Sequence, residues 1–213
     1  MPPTNPARRR ALADAAIDLL ATSGVHGLTH RAVEKASGLP SGTASNYFRS
    51  REALLVAAAE RIVELHHADM DQAAQHHKTG AAHAQSMTGQ LAGLLTESLL
   101  AAATILRNRY LAIFELQLEA ARRPVLASAL AGMQDTSTAF TAGHHAELGL
   151  AIPRECVPTL ITLYGGALFT LVTAPPESIS EDAVRGVARA IVRGALPGSA
   201  DPSGEDLGLS SPD

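Results

Sequence analysis

A run of small polar residues, Ser41–Asn46, has side chains that could bind a polar surface at close range. Most of its members carry a hydroxyl or an amide, which donate and accept hydrogen bonds, and Gly42 leaves the backbone bare. Side chains this short suit a groove of double-stranded DNA better than a protein core. The sequence has no Gly-rich phosphate loop, nucleophile elbow or metal-ligand spacing, so we expect neither an enzyme nor a cofactor.

A short helix and a tight turn are predicted before this run. Thr29 can cap the helix with its hydroxyl, and Ala32, Val33 and Ala36 are expected to form its buried stripe. Gly38 lies where the helix must end and the backbone must turn. The pattern indicates a helix-turn-helix, and the alternative is an ordinary helical hairpin that exposes small polar residues.

The run itself is predicted to form a second short helix, over about residues 41–47. Pro40 is tolerated in its first turn, where a missing N–H group costs little. Ser50 is expected to cap a third helix that follows directly. An earlier helix over residues 11–23, ended by Gly24, carries one apolar stripe and should pack behind the motif.

This stretch resembles the helix-turn-helix of the TetR (tetracycline repressor) family of bacterial regulators. The resemblance extends to about residue 60, and its spacing, glycines and aromatic pair all agree. The sequence departs from the family at Ala44 and Ser45, where a bulky apolar residue followed by Tyr is common. The matching residues are Gly24 through Leu28, Thr29, Ala32, Val33, Ala36, Gly38, Ser41-Gly42-Thr43, Tyr47-Phe48 and Ser50 through Leu54.

The resemblance implies a repressor that binds a palindromic DNA operator as a homodimer and is released by a small-molecule effector. In such a motif the second helix enters the major groove and the first crosses the DNA backbone. Thr43 could then meet a thymine methyl group and Asn46 could read adenine. The residues expected to contact bases or phosphates are Arg8, Arg9, Arg10, Thr29, Arg31, Ser41, Gly42, Thr43, Ser45, Asn46, Tyr47 and Arg51.

The charge distribution supports a DNA-binding N-terminal part. Residues 1–61 hold eight Lys/Arg and five Asp/Glu, a net charge of +3, whereas residues 62–213 hold nine and sixteen, a net charge of −7. A basic head on an acidic body directs only the head toward phosphates. Arg8, Arg9 and Arg10 form either a solvated charge run or a basic arm that contacts phosphate or the minor groove.

Composition predicts an all-α protein. Of the 213 residues 46% are hydrophobic and only 3% aromatic, and the abundant alanine and leucine favour helices. No run of about 18 apolar residues is present, so we expect no membrane span. The single cysteine, Cys156, excludes an intrachain disulfide and fits a reducing cytoplasm.

Two domains and a tail are predicted. The DNA-binding head comprises residues 1–50, with the start of a fourth helix to about residue 61. Residues 51–196 form a helical effector-binding and dimerisation domain, and residues 197–213 a disordered tail. Further helices are predicted over about residues 51–76, 87–105, 108–122, 125–148, 154–173 and 181–192, with a loop over residues 76–86.

The body is either a dimerisation core without a ligand or a domain with a pocket for an apolar or amphipathic effector. Dimerisation is suggested by the glycine-bearing helix over residues 154–173 and the last apolar stripe. The expected pocket residues are Met87, Tyr110, Phe114, Gln117, Met133, Phe140 and Tyr164. The expected dimer-interface residues are Leu160, Gly165, Gly166, Val184, Val187 and Ile191.

Nine histidines raise the question of a metal site, but adjacent histidines on a helix point about 100° apart and rarely share one ion. We therefore expect no bound metal, and we expect no redox role for Cys156 because only Arg154 nearby is basic. A different class of function remains open: a helical ligand-binding or adaptor protein whose head contacts protein instead of DNA.

Overall fold

The computed structural model describes residues 5–79, 86–131, 143, 146 and 149–196, and these contain helices without any strand. The predicted all-α fold is confirmed. Short 3₁₀ turns occupy Arg154–Cys156 and Pro176–Ser178. The helices are α1 (Pro6–Gly27), α2 (His30–Ser37), α3 (Thr43–Tyr47), α4 (Arg51–Thr79), α5 (Met87–Ala103), α6 (Arg107–Ala120), α7 (helical over 124–131), α8 (Val157–Thr173) and α9 (Glu181–Ala195).

Helix α1 begins earlier than the apolar pattern predicted. The Asn5 side chain accepts hydrogen bonds from the backbone N–H groups of Ala7 and Arg8 at 3.1 and 3.2 Å, and Pro6 occupies the first helical position. Of the two alternatives, a separate basic arm is excluded, because the arginine run lies inside the helix, and contact of these arginines with DNA stays a prediction. Near its other end α1 bends at Gly24, whose φ of 62° only glycine adopts without strain.

The head packs around one apolar core. Leu12, Ala16 and Leu20 of α1 are completely buried, and they share a cluster with Val33 of α2 and Phe48 after α3. The same cluster continues into the body through α4 and through α6, whose Ala112, Leu116 and Ala120 belong to it. Helix α6 thus lies against the head although it belongs to the second half of the sequence.

A second core joins α5, α6, α8 and α9. Its buried residues include Leu91 and Leu99 of α5, Leu160 of α8 and Val184 and Ile191 of α9. Helix α5 ends two residues before the predicted limit, because Thr104 leaves the helical region with φ −117° and ψ −92°.

Several predicted segments differ at their ends or fall outside the described residues. Helix α4 continues to Thr79, three residues into the predicted loop, and residues 80–85 lie outside the described part. The predicted helix over 125–148 is described as helical over 124–131. The predicted tail, 197–213, and residues 1–4 also lie outside it.

By length and composition alone, one described helix could cross a membrane. Residues Arg154–Thr173 have a mean hydropathy of 1.6, so the sequence criterion of an uninterrupted apolar run was too strict. Helices α5 and α6 together would also qualify, but they meet at an angle of 84°. One face of α8 packs against α5, α6 and α9 within the chain, but only 22% of its apolar window is buried, so most of this helix faces away from the core of the single chain.

Candidate DNA-binding surface and effector region

The turn between α2 and α3 is built by two glycines. Gly38 ends α2 with φ 68°, and Gly42 precedes α3 with φ 85°, a conformation that other residues adopt only with strain. The backbone N–H of Thr43 donates to the carbonyl of Pro40 at 3.1 Å, so Pro40 lies in the turn. Helix α3 therefore begins at Thr43, two residues later than predicted, and Pro40 is not in its first turn.

Small polar groups of α3 and the preceding turn face solvent. Ser41, Ser45 and Asn46 are exposed, whereas Gly42 and Thr43 are half-buried. The hydroxyl of Ser45 donates to the carbonyl of Gly42 at 3.1 Å, while no hydrogen bond of the Asn46 side chain is seen in the described part of the chain. This surface has the position and chemistry predicted for base contacts, which themselves stay a prediction.

The capping of α2 follows the prediction, but its buried stripe does not. The hydroxyl of Thr29 accepts from the N–H of Ala32 at 3.1 Å. Val33 is buried as expected, yet Ala32 is half-buried and Ala36 is exposed. Glu34 is buried instead, with 6% of its surface exposed, because its carboxylate has a partner in α3.

Two residues predicted to hold phosphates are engaged within the chain. Arg51 donates from Nε to the carbonyl of Leu28 at 3.1 Å and from Nη2 to the carbonyl of Val25. The hydroxyl of Tyr47 donates to the carbonyl of Asn5 at 3.2 Å. Arg51 therefore fixes the corner between α1 and α2, a role that the sequence did not reveal because its partners are 23 and 26 residues away.

Arginines of the head differ in whether they form an ion pair within the chain. Arg9 pairs with Glu60 at 2.8 Å and lies over the ring of Phe48, 5.6 Å from its centroid. Arg8, Arg10 and Arg31 are exposed, and none of the ion pairs seen in the described residues involves them. The exposed arginines keep their charge available for phosphates, whereas Arg9 is engaged with α4 and the core.

In the body, two tyrosines and a serine form a hydroxyl cluster among apolar side chains. The hydroxyls of Tyr164 in α8 and Ser98 in α5 are 2.6 Å apart, and Tyr110 in α6 belongs to the same apolar cluster as Tyr164. Burial raises the pKa of both Tyr110 and Tyr164, so the pair stays neutral well above pH 7.

The predicted pocket residues are only partly brought together. Phe114 contacts Phe169 edge to face, with ring centroids 5.0 Å apart, and Met87 packs against the same core. Gln117 is exposed, because the 3.6-residue period turns it away from the core, and its contact with an effector stays a prediction. Met133 and Phe140 lie outside the described residues.

Helix α6 connects this region with the head. Arg109, which precedes Tyr110, forms an ion pair with Asp69 of α4. Six residues after Arg109, the Glu115 carboxylate accepts from the N–H of Val25 at 3.1 Å, directly after the bend in α1. A Cβ atom at Gly24 would lie 3.2 Å from Glu115 Oε2, so glycine allows this close approach.

The predicted dimer residues fall into two groups. Leu160, Val184 and Ile191 are 4%, 0% and 5% exposed within a single chain, so they cannot contact a second one and their prediction is wrong. They are buried because the apolar stripes of α8 and α9 pack against α5. Gly166 is exposed, Gly165 and Val187 are half-buried, and apolar side chains of α8 that reach solvent are Ile161, Leu163 and Phe169.

Among the described residues there is no group of three His, Cys, Asp or Glu side chains placed to hold a metal ion. Cys156 is a buried free thiol between Glu155 and Val157.

Two family models match most of the chain. The model for bacterial regulatory proteins of the tetR family matches residues 12–58. The model for the tetracyclin repressor-like C-terminal domain matches residues 86–198, more than half of the chain. No curated protein matches the sequence.

Solved structures share the fold over most of their length. A TetR-family regulator from Mesorhizobium loti has a TM-score of 0.69 at 16% identity, covering 89% of this chain and 96% of its own. A TetR-family member from Streptomyces coelicolor reaches 0.63 at 27% identity, with 87% and 98% covered. The multidrug binding protein EbrR complexed with ethidium reaches 0.58 at 25% identity, with 88% and 99% covered. With its helix-turn-helix head and its matched C-terminal domain, the chain belongs to the TetR family of transcriptional regulators.

Proposed function

We propose that the protein is a repressor that binds a palindromic DNA operator as a homodimer and leaves it when a small molecule binds the body. The DNA-binding part rests on one observation. Helix α3 exposes Ser45 and Asn46 beside Ser41, and exposed arginines of the same head flank it in sequence. Short hydrogen-bonding side chains read base edges, and unpaired guanidinium groups bind phosphates.

The effector is proposed to be an apolar or amphipathic molecule that binds among α5, α6 and α8. The hydroxyl cluster of Ser98, Tyr110 and Tyr164 offers directional hydrogen bonds, and Phe114 and Phe169 offer aromatic faces. The apolar side chains around these hydroxyls favour an uncharged or aromatic partner over a hydrated anion. The structural likeness to EbrR, a multidrug binding protein solved with ethidium and with proflavin, supports the choice of aromatic probes.

Helix α6 is proposed to carry the response. Tyr110 and Phe114 lie at the proposed effector region, and Glu115 holds the backbone of Val25 in the head. An effector that shifts α6 would move the bend of α1 and with it the orientation of α3. The shift it can produce is limited by its difference in affinity for the two conformations.

A second copy of the chain is the proposed cover for the exposed apolar face of α8. Phe169 is 50% exposed, and Ile161 and Leu163 also reach solvent. Exposed apolar groups on one helix are typical of an interface, and a two-fold axis would place two heads for two operator half-sites. Sedimentation at micromolar concentration should show a dimer, and a monomer would remove this part of the proposal. We place the protein in the cytoplasm, where its operator would be.

The test is selection of a random duplex pool on the purified full-length protein, followed by sequencing. An enriched palindrome would support a symmetric DNA reader, and its spacing would give the separation of the heads. Binding to it should weaken steeply with salt, because phosphate contacts release counterions. Enrichment of no duplex at low salt, without ligand, would contradict the proposal and favour the adaptor function.

A further inference from the structure

Helix α3 is held at both ends by side chains of α2. His30 and Glu34 are four residues apart, so they lie on the same side of α2, one turn apart. Glu34 contacts the beginning of α3 and His30 contacts the residue directly after its end. At five residues α3 is far too short to be stable in isolation, so its orientation depends on such contacts.

At the first contact, Glu34 Oε1 accepts a hydrogen bond from the backbone N–H of Ala44 at 2.8 Å. Ala44 is completely buried and Glu34 nearly so. Burying a carboxylate is unfavourable unless it is hydrogen-bonded, and the first N–H groups of a helix have no partner within the helix. The small side chain at position 44 allows the carboxylate to approach the backbone.

At the second contact, His30 Nε2 lies 2.8 Å from the carbonyl oxygen of Phe48. A carbonyl oxygen can only accept, so Nε2 carries the hydrogen and donates. Both the neutral ring with its proton on Nε2 and the imidazolium ion meet this requirement. The N–H of Phe48 in turn donates to the carbonyl of Ala44 at 2.8 Å, so the two contact points of α3 are also linked to each other.

We infer that His30 and Glu34 are a pair of positioning residues that fix the rotation and tilt of α3, and thereby decide which of its side chains face the DNA bases. The pair goes beyond the proposed repressor function but rests on its DNA-binding part. The direction of the change in DNA affinity distinguishes a positioning role from a charge effect. A carboxylate repels phosphates, so by charge alone its removal should strengthen binding to every DNA, whereas loss of a positioning residue should weaken specific binding only.

The experiment uses the full-length protein, a duplex enriched by the wild type from a random pool, and a shuffled duplex of equal length. Affinity for both is measured at one salt concentration. Glu34→Asp keeps the charge but shortens the side chain, and Glu34→Gln keeps an acceptor oxygen at full reach. We expect the ratio of specific to shuffled affinity to fall about tenfold in Glu34→Asp and His30→Ala, and to stay within about threefold of wild type in Glu34→Gln.

The matched control is Asp18→Asn, which removes an exposed acid from the same head and should change both affinities equally. A second readout needs no DNA: amide hydrogen exchange at Ala44 should be faster in Glu34→Asp than in Glu34→Gln. An unchanged affinity ratio in both Glu34→Asp and His30→Ala would overturn the inference. If the wild type enriches no duplex, the proposed function fails, and exchange at Ala44 still decides whether the pair holds α3.

Discussion

The head and the body each have an apolar core, but they differ in the polar contacts that supplement it. In the head, charged and polar side chains bind backbone groups across the fold: Arg51 holds two carbonyls, and Glu34 and His30 hold the ends of α3. In the body, α5, α8 and α9 meet mainly through leucine, valine and alanine side chains. A hydrogen bond constrains the relative orientation of its donor and acceptor, whereas apolar packing constrains mainly the volume of the side chains. The contacts of the head therefore restrict the orientation of its helices, whereas those of the body mainly require that its volume is filled.

Leucine truncation in the body gives the largest expected effect. Leu99 is completely buried, so Leu99→Ala should lower the free energy of unfolding by about 3 kcal/mol, whereas Leu99→Met, which conserves volume, should cost less than about 1.5 kcal/mol. Chemical denaturation checks both values. Leu118→Ala, at a side chain 56% exposed, is the control and should change stability by less than about 0.5 kcal/mol. Equal losses in Leu99→Ala and Leu99→Met would contradict volume as the controlling quantity.

A conservative substitution in the head should lower stability, unlike Leu99→Met in the body. Arg51→Lys keeps the charge, but a lysine cannot present the two parallel donors that reach Leu28 and Val25. We expect both Arg51→Lys and Arg51→Ala to lower the free energy of unfolding by about 2 kcal/mol. Arg49→Lys, at an exposed neighbour, provides the comparison and should be nearly neutral. Wild-type stability of Arg51→Lys would contradict the claim that the two hydrogen bonds of Arg51 stabilise the head.

The contact from the body to the bend of α1 should have a smaller effect. Glu115→Ala leaves the N–H of Val25 without its acceptor, so exchange of that amide should accelerate about fivefold, while Glu115→Gln should retain most of the protection. Amide exchange followed by NMR measures both. Glu177→Gln, an exposed acid before α9, should leave Val25 unchanged. An unaltered rate in Glu115→Ala would show that α6 does not hold the head through this bond.

The hydroxyl cluster should produce the smallest effect, seen only at high pH. Because the folded-state pKa values of Tyr110 and Tyr164 are raised, the unfolded chain loses its phenolic protons first, and stability falls as pH rises above about 10. We expect a loss of about 1 kcal/mol between pH 10 and pH 11. In Tyr164→Phe the loss should be smaller, as measured by denaturation at each pH. Stability that rises over this interval would contradict the burial of the pair.

The sequence predicted those features that depend on neighbours along the chain. Thr29 and Ser50 cap their helices as expected, and Gly38 ends α2, because a cap and its partner lie within three residues. The partners of Arg51 and Glu115 lie far away in sequence, so no local pattern indicated them. The burial of Glu34 had one signal, the unusually small Ala44, which was noted only as a departure from the family.

The choice of Leu160, Val184 and Ile191 as dimer-interface residues was wrong for a different reason. Helix α8 is apolar on nearly all sides, so its composition does not distinguish the face that packs inside the chain from the face that remains outside. Leu160 and Phe169 look equivalent in the sequence, yet one is buried and the other is half exposed. Only the packing of α5 and α9 against α8 separates them.

Because Ala112, Leu116 and Ala120 of α6 complete the apolar core of the head, the predicted boundary at residue 50 does not cut between two independent folding units. A fragment that ends there would lack α4 and α6, which complete the apolar cluster that contains Leu12, Leu20 and Val25. Such a fragment should aggregate rather than bind DNA, and limited proteolysis should release no stable head. Melting of the two halves should accordingly be a single cooperative transition.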